Sequence, residues 1–390
     1  MHKVHCMNVI AKVGNDELGD GYQIVDDIEG ADAIMVRSAK LHDTTFPASL
    51  LAIGRAGAGV NNIPLDRCAD EGIVVFNTPG ANANSVKETV IAALLMASRD
   101  YVGGIEWVRE NSDDPEVGKA AEKAKKQFSG NEIAGKTLGV IGLGAIGAMV
   151  ANAARSLGMK VLGYDPYLSI KAAWSLDRHV KHVTSLDDVL AASDFITIHV
   201  PATPKTKGMI GRDEIAKMKD GVTFLNFSRD SLVDEQAMAE ALDDGHVAKY
   251  VTDFANSVSA NMKNAIVLPH LGASTDEAED RCAIMAAREL KDYIENGNIV
   301  NSVNFGECDL GPITADARVA IIHKNVPNMI GHITNVLSGA GVNIENMTNK
   351  STGDRAYTLI EITGEVDPQV ADQIATIDDV VRVRIIKAAK

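Results

Sequence analysis

Residues Thr137 to Gly147 read TLGVIGLGAIG, and this stretch decides the fold. An apolar run feeds Gly142, Gly144 and Gly147 in the spacing G-x-G-x-x-G, and a helical pattern follows to about Gly158. Each glycine has a task beside a dinucleotide's pyrophosphate: Gly142 makes the tight turn, Gly144 lets backbone come close, and Gly147 lets helix pack on strand. Amide donors and the positive dipole end of the helix N-terminus complete an anion site there. The next apolar run, Met159 to Tyr164, ends in Asp165. An acid about 20 residues after the glycines accepts the adenosine ribose hydroxyls and repels a 2′-phosphate, so the expected cofactor is NAD rather than NADP.

Outward from this motif, strand, turn and helix patterns alternate from Lys136 to about Leu268, which predicts an α/β, Rossmann-type doubly wound parallel sheet. Before it, short apolar runs at Ala33 to Arg37, Leu51 to Gly54 and Ile73 to Phe76 predict a second, flavodoxin-like α/β domain. A long Ala- and Leu-rich helix begins at Ser85, with Ser85 and Glu88 spaced as a capping box. The charged stretch from Ser112 to Glu132 reads as a surface helix.

Beyond a helix near Asp276 to Asn296, a Gly/Asn-rich link, ENGNIVNSVNFGECDLGP, leads to a new pattern. It runs strand RVAIIH, helix GHITNVLSGA, strands VNIENMTNK and RAYTLIEIT, helix PQVADQIATI and strand VVRVRII, a βαββαβ ferredoxin-like unit of its own. The expected domains are residues 1–88 plus 270–305, residues 89–269, and residues 317–390.

Composition excludes several classes. No apolar run in the 390 residues is long enough for a membrane helix, and the formal charge of −15 repels nucleic acid and anionic membranes. An anionic substrate therefore needs a local basic pocket. Cys6, Cys68, Cys282 and Cys308 lie far apart, with neither disulfide nor zinc spacing, so reduced thiols, no metal and a cytoplasmic setting are expected.

Ligands of open α/β sheets sit beyond the carboxyl ends of strands, so the residues following each apolar run matter most. They are His199, Val200 and Pro201 after FITI, Ser228 and Arg229 after VTFLNF, which ends in Phe227, Asp253 after Tyr250 to Thr252, and His270 after AIVL and Pro269. A guanidinium grips a carboxylate bidentately and an imidazole trades a proton near neutrality. Oxidation of a 2-hydroxy acid needs both: His270 to take the hydroxyl proton, Arg229 to anchor the carboxylate and polarise the developing carbonyl.

Taken with RAGAGVNNI (Arg55 to Ile63), Asn77-Thr78-Pro79, NFSRDSLVD (Asn226 to Asp234) and PHLGAST (Pro269 to Thr275), these residues make the chain resemble the D-isomer-specific 2-hydroxyacid dehydrogenase family. The resemblance implies that Arg229 and His270 are catalytic. It implies a cofactor lining of Ala58, Ala145, Ile146, Asp165, His199, Val200, Pro201, Phe227, Ser228, Asp253 and the turn His270, Leu271, Gly272 and Ala273, besides the three glycines. Arg37, Arg55, Gly59, Val60 and Asn82 are implied to meet a small phosphorylated hydroxy acid. Val258 stands where the family usually has a glutamate that tunes the catalytic histidine, and Asp230 stands where it usually has glycine. Lys87, expected in the first turn of its helix where the dipole disfavours a cation, is a candidate to share the proton work.

The βαββαβ region resembles an ACT domain, which implies self-pairing into a homodimer or homotetramer and an amino-acid effector such as L-serine at His323, Asn325 and Asn343. Two alternatives stand beside the main expectation: a sister dehydrogenase acting on glyoxylate or hydroxypyruvate, and a catalytically lapsed NAD-binding sensor.

Overall fold

The computed structural model describes residues 1–364 and 369–388. The chain divides into two compact units, residues 1–82 with 276 onward, and residues 83–275. The cuts expected after 88 and 269 both fall inside the second unit, which therefore holds the turn carrying His270.

The first unit opens with β1 (His2–Cys6), α1 (Lys12–Leu18), β2 (Tyr22–Val25), β3 (Ala33–Val36), β4 (Ala52–Arg55), α2 (Leu65–Asp70) and β5 (Val74–Asn77). The five strands form a parallel sheet in the order β2-β1-β3-β4-β5. All four residues of β3 are buried, as in a parallel sheet covered on both faces. That is why AIMV reads as a continuous apolar run.

The second unit begins with α3 (Ala83–Ser98), α4 (Tyr101–Glu110) and α5 (Val117–Ala124). The capping box expected at Ser85 is not formed. The helix starts at Ala83, Ser85 Oγ is buried with no hydrogen-bond partner among the described residues, and Glu88 accepts from Asn84 Nδ2 at 2.8 Å instead.

Then follow β6 (Thr137–Ile141), α6 (Ala145–Ser156), β7 (Lys160–Tyr164), α7 (Ile170–Ser175), β8 (Lys181–His182), α8 (Leu186–Ala192), β9 (Phe195–Ile198), α9 (Arg212–Ala216), β10 (Val222–Asn226), α10 (Glu235–Asp244), β11 (Val247–Thr252) and β12 (Ala265–Val267). The strand order is β12-β11-β10-β9-β6-β7-β8, all parallel. The order reverses between β6 and β9, the switch point at which doubly wound sheets bind ligands.

The chain returns to the first unit with α11 (Asp276–Asn296), β13 (Ala317–Lys324), α12 (Met329–Gly339), β14 (Asn343–Thr352), β15 (Arg355–Thr363), α13 (Gln369–Ala375) and β16 (Val380–Lys387). Pro368, where the last helix was expected to begin, lies outside the described residues. The antiparallel order β14-β15-β13-β16 is the ferredoxin-like arrangement that the βαββαβ pattern predicts.

This sheet does not stand apart from the rest of its unit. One face packs on α12 and α13, whereas Ala320, Ile322, Tyr357, Leu359 and Ile386 share a core with α11 and the sheet of β1 to β5. Nor is the Asn-rich link an open tether. Arg318, fully buried, donates to the carbonyls of Asn296, Leu310, Gly311 and Pro312 and to Glu361 at 2.8 Å, so the segment is pinned onto the sheet.

Among the described residues no helix is long and apolar enough to cross a membrane, and no cluster of His, Cys, Asp and Glu could hold a metal ion. The four cysteines are unbridged.

Candidate active site

The glycine turn joins β6 to α6. Gly142 has φ +89°, a left-handed conformation that favours glycine, and a Cβ there would run into the His199 carbonyl at the end of β9. A Cβ on Gly147 would strike the Gly142 carbonyl, whereas one on Gly144 would meet nothing within 4 Å. Two of the glycines are thus demanded by packing. The third borders open space, where backbone can approach a ligand.

Asp165 closes the end of β7. Its carboxylate accepts from the Leu143 amide at 2.9 Å and from the Tyr167 amide at 2.8 Å, which ties the acid to the glycine turn. Each oxygen keeps lone-pair capacity for a further donor.

On the other side of the switch point, Ser228 Oγ donates to the Ile198 carbonyl at 2.7 Å. Asn226, fully buried at the end of β10, accepts from the Ser228 amide at 3.1 Å and donates to the Arg229 carbonyl at 2.8 Å. This one side chain folds the turn that presents Arg229, a role that the sequence motif alone does not display. The half-buried Arg229 guanidinium donates through Nη1 to the Ser228 carbonyl at 2.6 Å. His199 accompanies them: burial pushes its imidazole down to about 3, so it stays neutral, and its Nδ1 is buried without a partner.

His270 and Asp253 form the next layer. His270 sits in the left-handed region at φ +55°, and its amide donates to the Asp253 carbonyl at 2.9 Å. The Asp253 side chain is nearly buried, with Oδ2 accepting from the Gly272 amide at 3.0 Å and Oδ1 without a partner among the described residues. Burial raises its carboxyl above the usual range, against the pull of the Gly272 amide, His270 and Arg229.

The His270 imidazole meets Phe254 edge-on, with 5.2 Å between ring centroids. Both line an open cavity of about 300 Å³ together with Asp230, Asp253, Ala255, Asn256 and Pro269. Val258, where the resemblance implies a glutamate in the family's pattern, is exposed. The acids that do line this cavity are Asp253 and Asp230, the latter holding the Ser231 amide at 2.7 Å.

Other expected residues lie elsewhere. Lys87 falls in the second turn of α3, not the first, because the helix starts at Ala83; its Nζ lies 3.5 Å from Glu88, and among the described residues no bond joins it to His270. Ala145 and Ile146 open α6, Val200 and Pro201 follow β9, Phe227 is buried after β10, and Leu271 and Ala273 flank Gly272.

Arg37, Arg55, Ala58, Gly59, Val60 and Asn82 all belong to the first unit. Arg37 pairs with Glu279 of α11 at 2.6 Å, and the Arg55 guanidinium folds over Gly57 in its own loop. In the C-terminal sheet His323 is buried, its ring nitrogens engaged by the Lys324 carbonyl and Thr358 Oγ1. Asn325 and Asn343 are exposed at opposite ends of that sheet, so one chain does not bring the three together.

Comparison with known proteins gives this geometry a context. The model of the D-isomer specific 2-hydroxyacid dehydrogenase NAD binding domain matches residues 91–272. The D-3-phosphoglycerate dehydrogenase of Methanocaldococcus jannaschii is 34% identical over 335 residues, covering 82% of this chain and 62% of that protein. D-3-phosphoglycerate dehydrogenase 1 of Saccharomyces cerevisiae is 32% identical over 376 residues, covering 90% and 76%. The chain thus spans about three fifths of the archaeal relative's length and about three quarters of the yeast one's. Among solved structures, a glyoxylate reductase from Paecilomyes thermophila superposes with a TM-score of 0.65 at 27% identity, over 77% of this chain and 98% of that one. From the matched domain, the yeast relative and the arrangement of β6 to β12, the chain belongs to the D-isomer specific 2-hydroxyacid dehydrogenase family.

Proposed function

We propose that the protein oxidises C2 of D-3-phosphoglycerate with NAD as the hydride acceptor, giving 3-phosphohydroxypyruvate. The observation that carries this reading is the gathering of Gly144, Asp165, Arg229, Asp253 and His270 at the carboxyl ends of one parallel sheet. The residues present fit the cofactor. Open space at Gly144 suits the pyrophosphate, Asp165 has acceptor capacity for ribose hydroxyls, and the unpartnered Asp253 Oδ1 suits an amide donor such as the nicotinamide carboxamide. NAD, when bound, supplies the electron-pair acceptor.

The chain's own side chains do the rest. The His270 imidazole takes the hydroxyl proton, held by the backbone bond to Asp253 and by Phe254 against its edge. Arg229, with its turn fixed by Asn226, holds the carboxylate and stabilises charge growing on the C2 oxygen. Arg37 and Arg55 are the cations assigned to the substrate's phosphate and carboxylate, with Gly59, Val60 and Asn82 beside them in sequence or on the same unit. Phosphate recognition favours this substrate over glyoxylate, and retention of both Arg229 and His270 disfavours a lapsed sensor. Lys87 is a secondary candidate for substrate binding, and unchanged kcat and KM in Lys87→Ala would remove it.

For regulation, L-serine is the proposed effector at Asn325 and Asn343. Because these lie at opposite ends of one sheet, an effector touching both would sit between two copies of the chain, which favours a homo-oligomer. The test of the catalytic assignment is His270→Asn: kcat should fall by about 10²- to 10⁴-fold, far more than NADH affinity does. An unchanged kcat would contradict it.

A further inference from the structure

Glu289 is a carboxyl group that the chemistry above does not use. It lies on α11 and is 8% exposed. Its Oε1 accepts from Asn301 Nδ2 at 2.8 Å, and its Oε2 is buried with no hydrogen-bond partner among the described residues. Burial pushes the carboxyl up to about 8, opposed by the Asn301 amide, so near neutrality it is an uncharged acid.

No acid or base sits on β3 or β5, which pack against α11; β4 ends in Arg55, and α1 carries Lys12, Asp16 and Glu17. On α11 itself Arg288 turns to Glu17 and Lys291 to the Leu18 carbonyl of α1, Glu279 pairs with Arg37, and Asp292 is held by Asn296 and Asn298, while Arg384 of β16 donates to the Tyr293 and Ile294 carbonyls and Tyr357 of β15 to the Gly297 carbonyl.

The bond to Asn301 leads somewhere specific. Asn301 adopts φ +59°, a left-handed conformation that asparagine tolerates better than most residues. Its carbonyl accepts from the Asn77 amide at 3.4 Å, and Asn77 Nδ2 in turn donates to the Ala58 carbonyl at 2.6 Å. One residue on, the Thr78 amide donates to the Gly57 carbonyl at 3.1 Å. The segment after α11 is thus the rest against which Asn77, Thr78 and the loop from Arg55 to Val60 are held.

We propose that Glu289 is a positioning residue, which through Asn301 and Asn77 holds the Arg55 to Val60 loop in the shape that receives the substrate. The inference rests on the proposed assignment of that loop to substrate. Its physical content is a proton. The neutral acid accepts one amide bond without an uncompensated charge; ionised, it is a buried carboxylate with no cationic partner among the described residues, and water must enter or the helix and loop must part. The group binds its proton more tightly in the folded chain than in the unfolded one. Its contribution to order is therefore complete in acid and lost as pH rises through about 8.

The test uses the full chain and the variants Glu289→Gln, which keeps the shape and cannot ionise, and Glu289→Ala. Hydrogen exchange at amides 56–60 and 77–78, normalised to intrinsic rates, is read from neutral to alkaline pH alongside KM and kcat for D-3-phosphoglycerate. In the wild type, loop exchange should quicken and KM should rise as pH climbs past about 8, with kcat changed less. Glu289→Gln should keep both flat. Glu289→Ala should show the loosened loop already at neutral pH, with KM raised about tenfold and kcat within about twofold.

An alkaline rise in Glu289→Gln equal to the wild type's, or an unaltered loop in Glu289→Ala, would overturn the inference. Should Glu289→Ala not fold, the comparison of Glu289→Gln with wild type decides alone. A wild type that does not turn over D-3-phosphoglycerate would remove the substrate assignment, and the exchange measurements would still judge the role of Glu289.

Discussion

The His270 amide donates to the Asp253 carbonyl at 2.9 Å, so the imidazole and the buried carboxylate ride on one rigid piece of backbone. Two residues beyond His270, the Gly272 amide takes Asp253 Oδ2 and leaves Oδ1 unsatisfied. A buried polar atom without a partner is costly and rare in a folded chain. In the proposed complex the cofactor's amide would repay that cost.

Asp253→Ala should therefore weaken cofactor binding more than it weakens the fold. The Michaelis constant for NAD should rise about tenfold or more, because a charge-assisted hydrogen bond is lost. A fluorescence titration with NADH checks this directly. Unchanged affinity would mean that Oδ1 has no donor in the complex.

The glycines of the turn separate binding from folding. Gly144→Ala adds a Cβ into open space, so thermal stability should hold while NADH affinity falls by about tenfold or more. Gly147→Ala drives a Cβ into the Gly142 carbonyl, so it should cost about 1–3 kcal/mol by overpacking. Denaturant unfolding and NADH titration of the two variants should give opposite rankings. Equal effects would say that the turn is structural throughout.

Arg318 is the joint of the first unit. It is fully buried, satisfied by Glu361, by the last carbonyl of α11 and by three carbonyls of the segment after it. Breaking a buried pair from one side strands the other charge, so Arg318→Ala should lose about 3–5 kcal/mol in denaturant unfolding. Lysine cannot reproduce the planar fork of donors, and Arg318→Lys should recover little of that loss. A loss of less than about 1 kcal/mol would contradict the role given to this residue.

The legible parts of the molecule were those set by local pattern. The glycine spacing and the run before it specified β6, its turn and α6, and the antiparallel sheet appeared in the order its βαββαβ pattern implied. What stayed hidden depends on residues distant in sequence. Asn226 is one asparagine among many until β10 places its amide across the Arg229 turn.

The Asn-rich link resembles a tether in composition, yet Arg318 and the pair Glu289 and Asn301 make it packed structure. Ser85 and Glu88 match the spacing of a capping box, yet α3 starts two residues earlier because the turn after Gly80 commits the chain at Ala83. That shift moves Lys87 past the first turn, where a cation is disfavoured, into the second.

The central claim is tested most directly by NADH formation from D-3-phosphoglycerate, compared with D-glycerate and D-lactate, in the presence of a trap for the keto product and with NADP in place of NAD as a parallel arm. Turnover with NAD and D-3-phosphoglycerate, at a kcat/KM at least about a hundredfold above either unphosphorylated acid, is the predicted result, since a missing charged partner in a site built for it costs about 3 kcal/mol. Equal rates with glycerate, or no NADH from any of the three, would contradict it.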